Sequence, residues 1–265
     1  MPSPSMQPYT ERISIFPTTS SLRGTVIYIH GGGLIFGSRN DLPDPYIAAF
    51  NDAGFTIVAL DYPFAPRCRT EAILGALEET ISSLHDNGGL RGDRLILFGR
   101  SAGAYLALNL QARAIMRGEH LADRLISLYG YTDMQDKDFH RPSSWYQAFG
   151  YVDPLPDQPD ADDFTTRFSL YVGLRQRGTW PETVLDATTT PIPDDVLRRL
   201  PPTFLAASAY DPDVPFRCSK HLATVIPQSS FYRVYDATDH DFDRDPASPH
   251  GLPMYQEIIN WLQTD

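Results

Sequence analysis

The chain has 265 residues, long enough to bury a sizeable core. A formal net charge of −11 and a sequence pI near 5.0 leave no basic footprint for nucleic acid or an anionic membrane surface, so small-molecule partners are expected. The two cysteines, Cys68 and Cys218, have neither zinc-motif nor CxxC spacing and read as unpaired thiols, and no apolar run approaches the ~18 residues of a membrane span.

At the N-terminus, MPSPSMQPYTERISIF has no basic start followed by an apolar core, so a cytoplasmic location is expected. Short, nearly continuous apolar runs then recur at 25–29 (TVIYI), 55–60 (FTIVAL), 94–98 (RLILF), 124–129 (RLISLY) and 203–207 (TFLAA), the pattern of strands covered on both faces of a parallel sheet. Between the second and third, residues 70–84 place Ile73, Leu74, Leu77, Ile81 and Leu84 at helical spacing, with Thr70 as the expected N-cap. AGAYLALNLQARAI, from Ala102, predicts a helix after the third run, and SFYRVYDA near the end alternates as a strand. The closing LPMYQEIINWLQ sets Leu252, Tyr255, Ile258, Ile259 and Leu262 on one helical face. Strands alternating with helices predict a doubly wound α/β fold, with residues 1–265 as one domain. The stretch 131–200 breaks the rhythm: it has no clear strand, and it carries Trp145, Tyr146, Phe149, Phe168 and Tyr171 among prolines and aspartates. It is expected to be partly helical, FTTRFSLYVGL above all, and to form a lid or cap lining a substrate pocket at the carboxyl edge of the sheet.

FGRSAGAY (98–105) places Ser101 between Gly99 and Gly103, after a strand and before a helix. A strained strand-to-helix turn needs small residues on both sides, and the N–H of Ala102 at the helix start would point toward the space above Ser101. Independently, VIYIHGGGLIFGS ends a strand with His30, Gly31, Gly32 and Gly33, whose unobstructed N–H groups could approach an oxyanion, while His30 would order the loop. A phosphate cradle lacks GxGxxG and GxxxxGK[ST] here. Serine needs a base and the base a carboxylate. Of seven histidines, His85, His120, His140, His221 and His250 read as surface residues. His240 instead lies on the loop after an alternating strand and before the last helix, which delivers it to the edge bearing Ser101. The acid is read as Asp211, next to the strand end and stiffened by Pro212, with Asp213 as the alternative. Asp239, Asp241, Asp243 and Asp245 alternate like calcium ligands, but the sixth position is Arg244 and the twelfth His250, so no metal is expected. These carboxylates read as solvated or as partners of arginines, with one able to buttress the His240 loop.

HGGG, GRSAG, DPDVP and HDF in that order resemble the α/β-hydrolase superfamily, and within it the hormone-sensitive-lipase-like esterases and their small bacterial relatives. LDYPFAP at 60–66 is similar to that family's DYRLAP segment. The resemblance covers about residue 22 to the end. It implies a mostly parallel sheet flanked by helices, nucleophile Ser101, acid Asp211 and base His240, and an oxyanion hole from Gly32, Gly33 and Ala102. It implies a carboxylesterase acting on small carboxylic esters through an acyl-enzyme, with no cofactor. An amidase, arylformamidase-like or peptidase-like hydrolase on the same triad, or a non-catalytic small-molecule-binding relative, are the alternatives. Two departures stand out: Arg100 occupies the position before the serine, usually acidic in the family, and Pro63 replaces the arginine of DYRLAP. With 29 residues ahead of His30, the lid is expected to come mainly from 131–200. A histidine base predicts activity rising through about pH 6 to 8.

Overall fold

Each apolar run folds as a strand in the computed structural model, which describes residues 12–153 and 163–264. Most of the N-terminal stretch (1–11) and residues 154–162 of the 131–200 insertion lie outside the described residues, as does residue 265. The first half of the chain runs β1 (Ile13–Phe16), β2 (Gly24–Ile29), α1 (Asp44–Asp52), β3 (Phe55–Leu60), α2 (Thr70–Asp86), β4 (Arg94–Arg100), α3 (Ala102–Arg117) and β5 (Arg124–Leu128). The insertion follows, with α4 (Ser144–Gln147), α5 (Phe164–Arg177), α6 (Trp180–Val184) and α7 (Asp194–Leu197). The chain closes with β6 (Thr203–Ser208), α8 (Phe216–Val225), β7 (Ser229–Val234) and α9 (Gly251–Gln263). Among the described residues, no helix is long and apolar enough to cross a membrane.

The strands form one seven-stranded sheet in the order β1-β3-β2-β4-β5-β6-β7. All neighbours are parallel except β1, which runs antiparallel to β3 with Ile13 opposite Leu60. Strands β2, β3, β5 and β6 are buried along their whole length, because helices cover both faces. Alternation along β2 divides the core in two. Val26 and Tyr28 pack with Tyr46, Phe50, Tyr255 and Ile258 of α1 and α9, while Ile27 and Ile29 pack with Leu74, Leu77, Tyr105 and Leu106 of α2 and α3. Strand β1 has no counterpart in the sequence reading: Ile13, Ile15 and Phe16 are apolar, but a four-residue edge strand is too short a run to stand out.

The expected Thr70 cap is corrected by the structure. Thr70 is already the first helical residue, and its hydroxyl donates to Asp186 at 2.9 Å. The Asp186 carboxylate accepts the Glu71 N–H at 2.8 Å, so the helix start is satisfied by a residue 115 positions away on the insertion. Helix α5 ends conventionally. Asp163 caps its start through the Thr166 N–H at 2.9 Å, and Gly178 closes its end in the left-handed conformation.

Candidate active site

Parallel strands aim their carboxyl ends at one edge of the sheet, and four loops meet there, after β2, β4, β6 and β7. The loop after β4 is a single residue, Ser101, with φ +52° and ψ −117°. A non-glycine residue holds such a conformation only where its surroundings impose it. The turn is that tight because α3 starts against the sheet: a side-chain carbon on Gly99 would strike the backbone of Gly103, and one on Gly103 would strike the Ile29 carbonyl. His240, after β7, brings its Nε2 to 2.8 Å from Ser101 Oγ and its Nδ1 to 2.6 Å from Asp211 Oδ2. An ionised carboxylate only accepts, so the Nδ1–H faces Asp211 and Nε2 is left to accept the serine proton.

Asp211, after β6, has its second oxygen held by the N–H groups of Asp213 and Val214 at 2.8 and 2.9 Å. Its side chain is 1% exposed. Burial pulls the His240 imidazole down, but the adjacent Asp211 carboxylate, with Asp213 and Asp241 beyond, outweighs this and pushes it up to about 9. Asp213, the alternative acid, turns the other way. It pairs with Arg175 of α5 at 2.8 Å and accepts the Tyr146 and Tyr171 hydroxyls at 2.9 Å each. Burial works against the Asp213 carboxylate, yet Arg175, His240 and the two tyrosines hold it below the usual carboxylate range.

The loop after β2 lies against the serine, since a side-chain carbon on Gly31 would meet Ser101 Cβ at 3.4 Å. Gly32 and Gly33 have φ of +97° and +59°, which suits glycine. Ala102 opens α3, so its N–H has no intrahelical acceptor. His30 is fully buried, with Nδ1 donating to the Gly31 carbonyl at 2.8 Å and its ring stacked on Tyr62 at 4.3 Å. Desolvation lowers its affinity for a proton, which leaves it a neutral brace of the loop.

A cavity of about 540 Å³ opens over Ser101 and His240. One wall is aromatic: Phe36, Trp145, Tyr146, Phe149, Phe164, Phe168 and Tyr171. Phe36 and Phe168 meet edge to face at 5.3 Å, and Phe164 stacks on Phe168 at 5.8 Å. Asn40, Asp41, Arg100 and Asp241 add polar groups to the lining. The insertion also braces the glycine loop. Trp180, with its ring buried, donates its indole N–H to the Gly33 carbonyl at 2.8 Å, and Arg167 donates to the carbonyls of Ile35 and Ala65 at 3.2 and 3.3 Å. Periodicity gives no hint of these contacts, because Trp180 and Gly33 are 147 residues apart.

A family model described as alpha/beta hydrolase fold matches residues 26–243. The chain belongs to the α/β-hydrolase family. Its affinity is to the hormone-sensitive-lipase-like members. An α/β-hydrolase superfamily protein from Enterococcus faecalis is 31% identical, with a TM-score of 0.79 over 95% of this chain and 94% of that one. An acetyl esterase from Salmonella paratyphi B is 26% identical over 257 residues, 91% of this chain and 71% of the esterase. The non-reducing polyketide synthase ausA of Penicillium brasilianum is 31% identical over 150 residues, which is 51% of this chain but spans only 6% of the synthase.

Within this family frame one departure, Arg100, acquires a partner. Arg100 is buried and reaches Asp243, one of the alternating aspartates after His240, at 3.2 Å. Asp241 pairs instead with the exposed Arg244 at 2.6 Å. Of the five histidines read as surface residues, His85, His120 and His221 are exposed, whereas His140 and His250 are partly covered beside Glu182 and Asp236.

Proposed function

We propose that the chain is a serine hydrolase, specifically a carboxylesterase for small carboxylic esters. The observation that carries this reading is His240 standing between Ser101 Oγ at 2.8 Å and Asp211 at 2.6 Å. Ser101 Oγ attacks the ester carbonyl carbon while its proton passes to His240 Nε2, and Asp211 holds and stabilises the imidazolium. The oxygen that becomes negative is met by the N–H groups of Gly32, Gly33 and Ala102. As the intermediate collapses, His240 returns the proton to the departing alcohol oxygen, leaving an acyl group on Ser101. A water molecule then attacks the acyl carbon while His240 takes its proton; as the Ser101 Oγ–carbon bond breaks, His240 returns that proton to Oγ, freeing the carboxylic acid and restoring the serine and the neutral imidazole.

The likeness to an acetyl esterase over most of the chain supports a short acyl group. The aromatic wall favours a flat or aryl portion elsewhere in the substrate and supports a second reading, an amidase acting on aryl amides. Parallel turnover of p-nitrophenyl acetate and an N-formyl arylamine separates the two. The nucleophile is tested by intact-mass labelling with a fluorophosphonate, followed by a chain-length series of p-nitrophenyl esters. One adduct mapped to Ser101 is expected, with none on Ser101→Ala and turnover lowered by roughly 10³-fold or more in that variant. Near-full esterase activity of purified Ser101→Ala would sink the proposal.

A further inference from the structure

Arg100 ends β4 and adjoins Ser101 in the chain. A guanidinium is costly to bury unless its charge and donors are met, yet this side chain is only 7% exposed. Its Nε donates to the Tyr129 hydroxyl at 2.7 Å and its Nη2 to Asp243 Oδ1 at 3.2 Å. Tyr129 donates in turn to the same Asp243 oxygen at 2.9 Å, which closes a ring of three residues. The remaining acceptors of Asp243 are also filled. Its second carboxylate oxygen takes the Tyr255 hydroxyl at 3.0 Å, and its carbonyl takes the Tyr46 hydroxyl at 2.8 Å.

The sequence positions give this ring its meaning. Arg100 precedes the serine by one residue, and Asp243 follows His240 by three. The chain leading into His240 is mostly exposed from Tyr235 to Asp239, whereas Phe242 and Asp243 just after it are buried. The imidazole is therefore anchored largely from its C-terminal side. Tyr129 touches both ends of the link. Its ring meets the His240 imidazole edge to face at 4.7 Å and Phe242 at 5.8 Å, and the Ser101 N–H bonds to the carbonyl of Leu128, its neighbour. Tyr129 is held at φ +41°, which a bulky residue adopts only under constraint from its surroundings.

We propose that Arg100, Tyr129 and Asp243 form a positioning unit that sets the distance and angle between His240 and Ser101, resting on the reading of these two as base and nucleophile. Arginine suits this place because its planar fork spans two acceptors at once, which a lysine ammonium does with less geometric definition.

The test compares Tyr129→Phe, which keeps the ring and the charge pair, Arg100→Lys, which keeps the charge without the fork, and the double variant Arg100→Met/Asp243→Leu, which strands no buried charge. Each is measured by thermal unfolding, by kcat and KM on p-nitrophenyl acetate, and by proton NMR of the His240 Nδ1–H. In variants that unfold cooperatively, kcat is expected to fall roughly 10- to 100-fold with KM within about 2-fold, as loss of alignment implies, and the Nδ1–H signal to broaden or vanish. An unchanged kcat together with an unchanged Nδ1–H signal, or a loss confined to KM, would overturn the proposal. Loss of fold in both Tyr129→Phe and the double variant would overturn it in favour of a purely structural role. If the wild type takes no fluorophosphonate and turns over no ester, the catalytic reading fails, but the His240 proton signal still decides whether these residues position the imidazole.

Discussion

Among single residues, His240 carries opposed demands. Burial favours its neutral form, and the Asp211 carboxylate at 2.6 Å favours the charged form more strongly, pushing the imidazole up to about 9. In the proposed role of base, His240 must be neutral, so kcat/KM is expected to rise about tenfold per pH unit toward 9 and to level above it. This lies above the pH 6 to 8 rise that an ordinary imidazole predicts, because the free side chain lacks Asp211 at hydrogen-bond distance. A pH profile of kcat/KM checks the shift, and a rise complete by pH 7 would contradict it. Choosing between Asp211 and Asp213 is likewise a matter of where each carboxylate points: one faces His240, the other Arg175. Both lie within a few positions of the end of β6; nearness to that end and the neighbouring Pro212 favoured Asp211 in the sequence, but the direction of each side chain is not a local property.

At the scale of elements, the Ser101 turn and the insertion make separate demands. The crossing of β4 and α3 requires that Gly103 carry no side chain, since a methyl group there would enter the Ile29 carbonyl. Gly103→Ala is therefore expected to destabilise by about 1–3 kcal/mol, read as a lower melting temperature, and an unchanged melting temperature would show that the turn can relax. Helix α5 joins the insertion to the loop after β6 through Arg175 and Asp213, both buried. Asp213→Asn leaves that guanidinium uncompensated, and a loss of about 3–5 kcal/mol in urea unfolding is expected. The contacts of Trp180 and Tyr171 with the glycine loop and of Arg175 with Asp213 describe a strut that shapes the site. We propose that the described part of 131–200 serves in this way as the cap of the pocket. Its aromatic composition was visible in the sequence, but its partners lie far away in the chain and no local pattern names them.

For the whole molecule, two of these groups link stability to pH in opposite directions. His240 is raised on folding, so its contribution is complete below the unfolded value of about 6.5 and is lost as pH rises through about 9. Asp213 is lowered, so its contribution is present above the unfolded value of about 3.9 and is lost as pH falls through its folded value. Resistance to urea is expected to be greatest between about pH 4 and 6.5 as far as these two groups decide it. His240→Gln should flatten the alkaline decline, and an equally steep decline in that variant would assign it to other groups. Activity is then expected to emerge where the His240 contribution to stability fades, because the neutral imidazole needed for proton transfer is the form the folded site disfavours.

Sequence alone determined the layered architecture, because apolar runs of five or six residues are too short for buried helices, and their alternation with helical periodicity names the faces that cover them. It also singled out Ser101, the glycines before Leu34 and His240, since a tight turn and a loop at a strand end leave local marks in composition. Tertiary structure decided what depends on distant chain segments meeting. Asp186 in place of Thr70 at the start of α2, β1 on the sheet edge, and the indole bond to Gly33 are of this kind. So is Arg100, which stands where an acidic residue was expected and finds its counter-charge in Asp243, 143 residues further on. Hydrophobic periodicity is a local property that a chain records in order, whereas the partner of a buried charge is set by which loops the sheet brings to one edge.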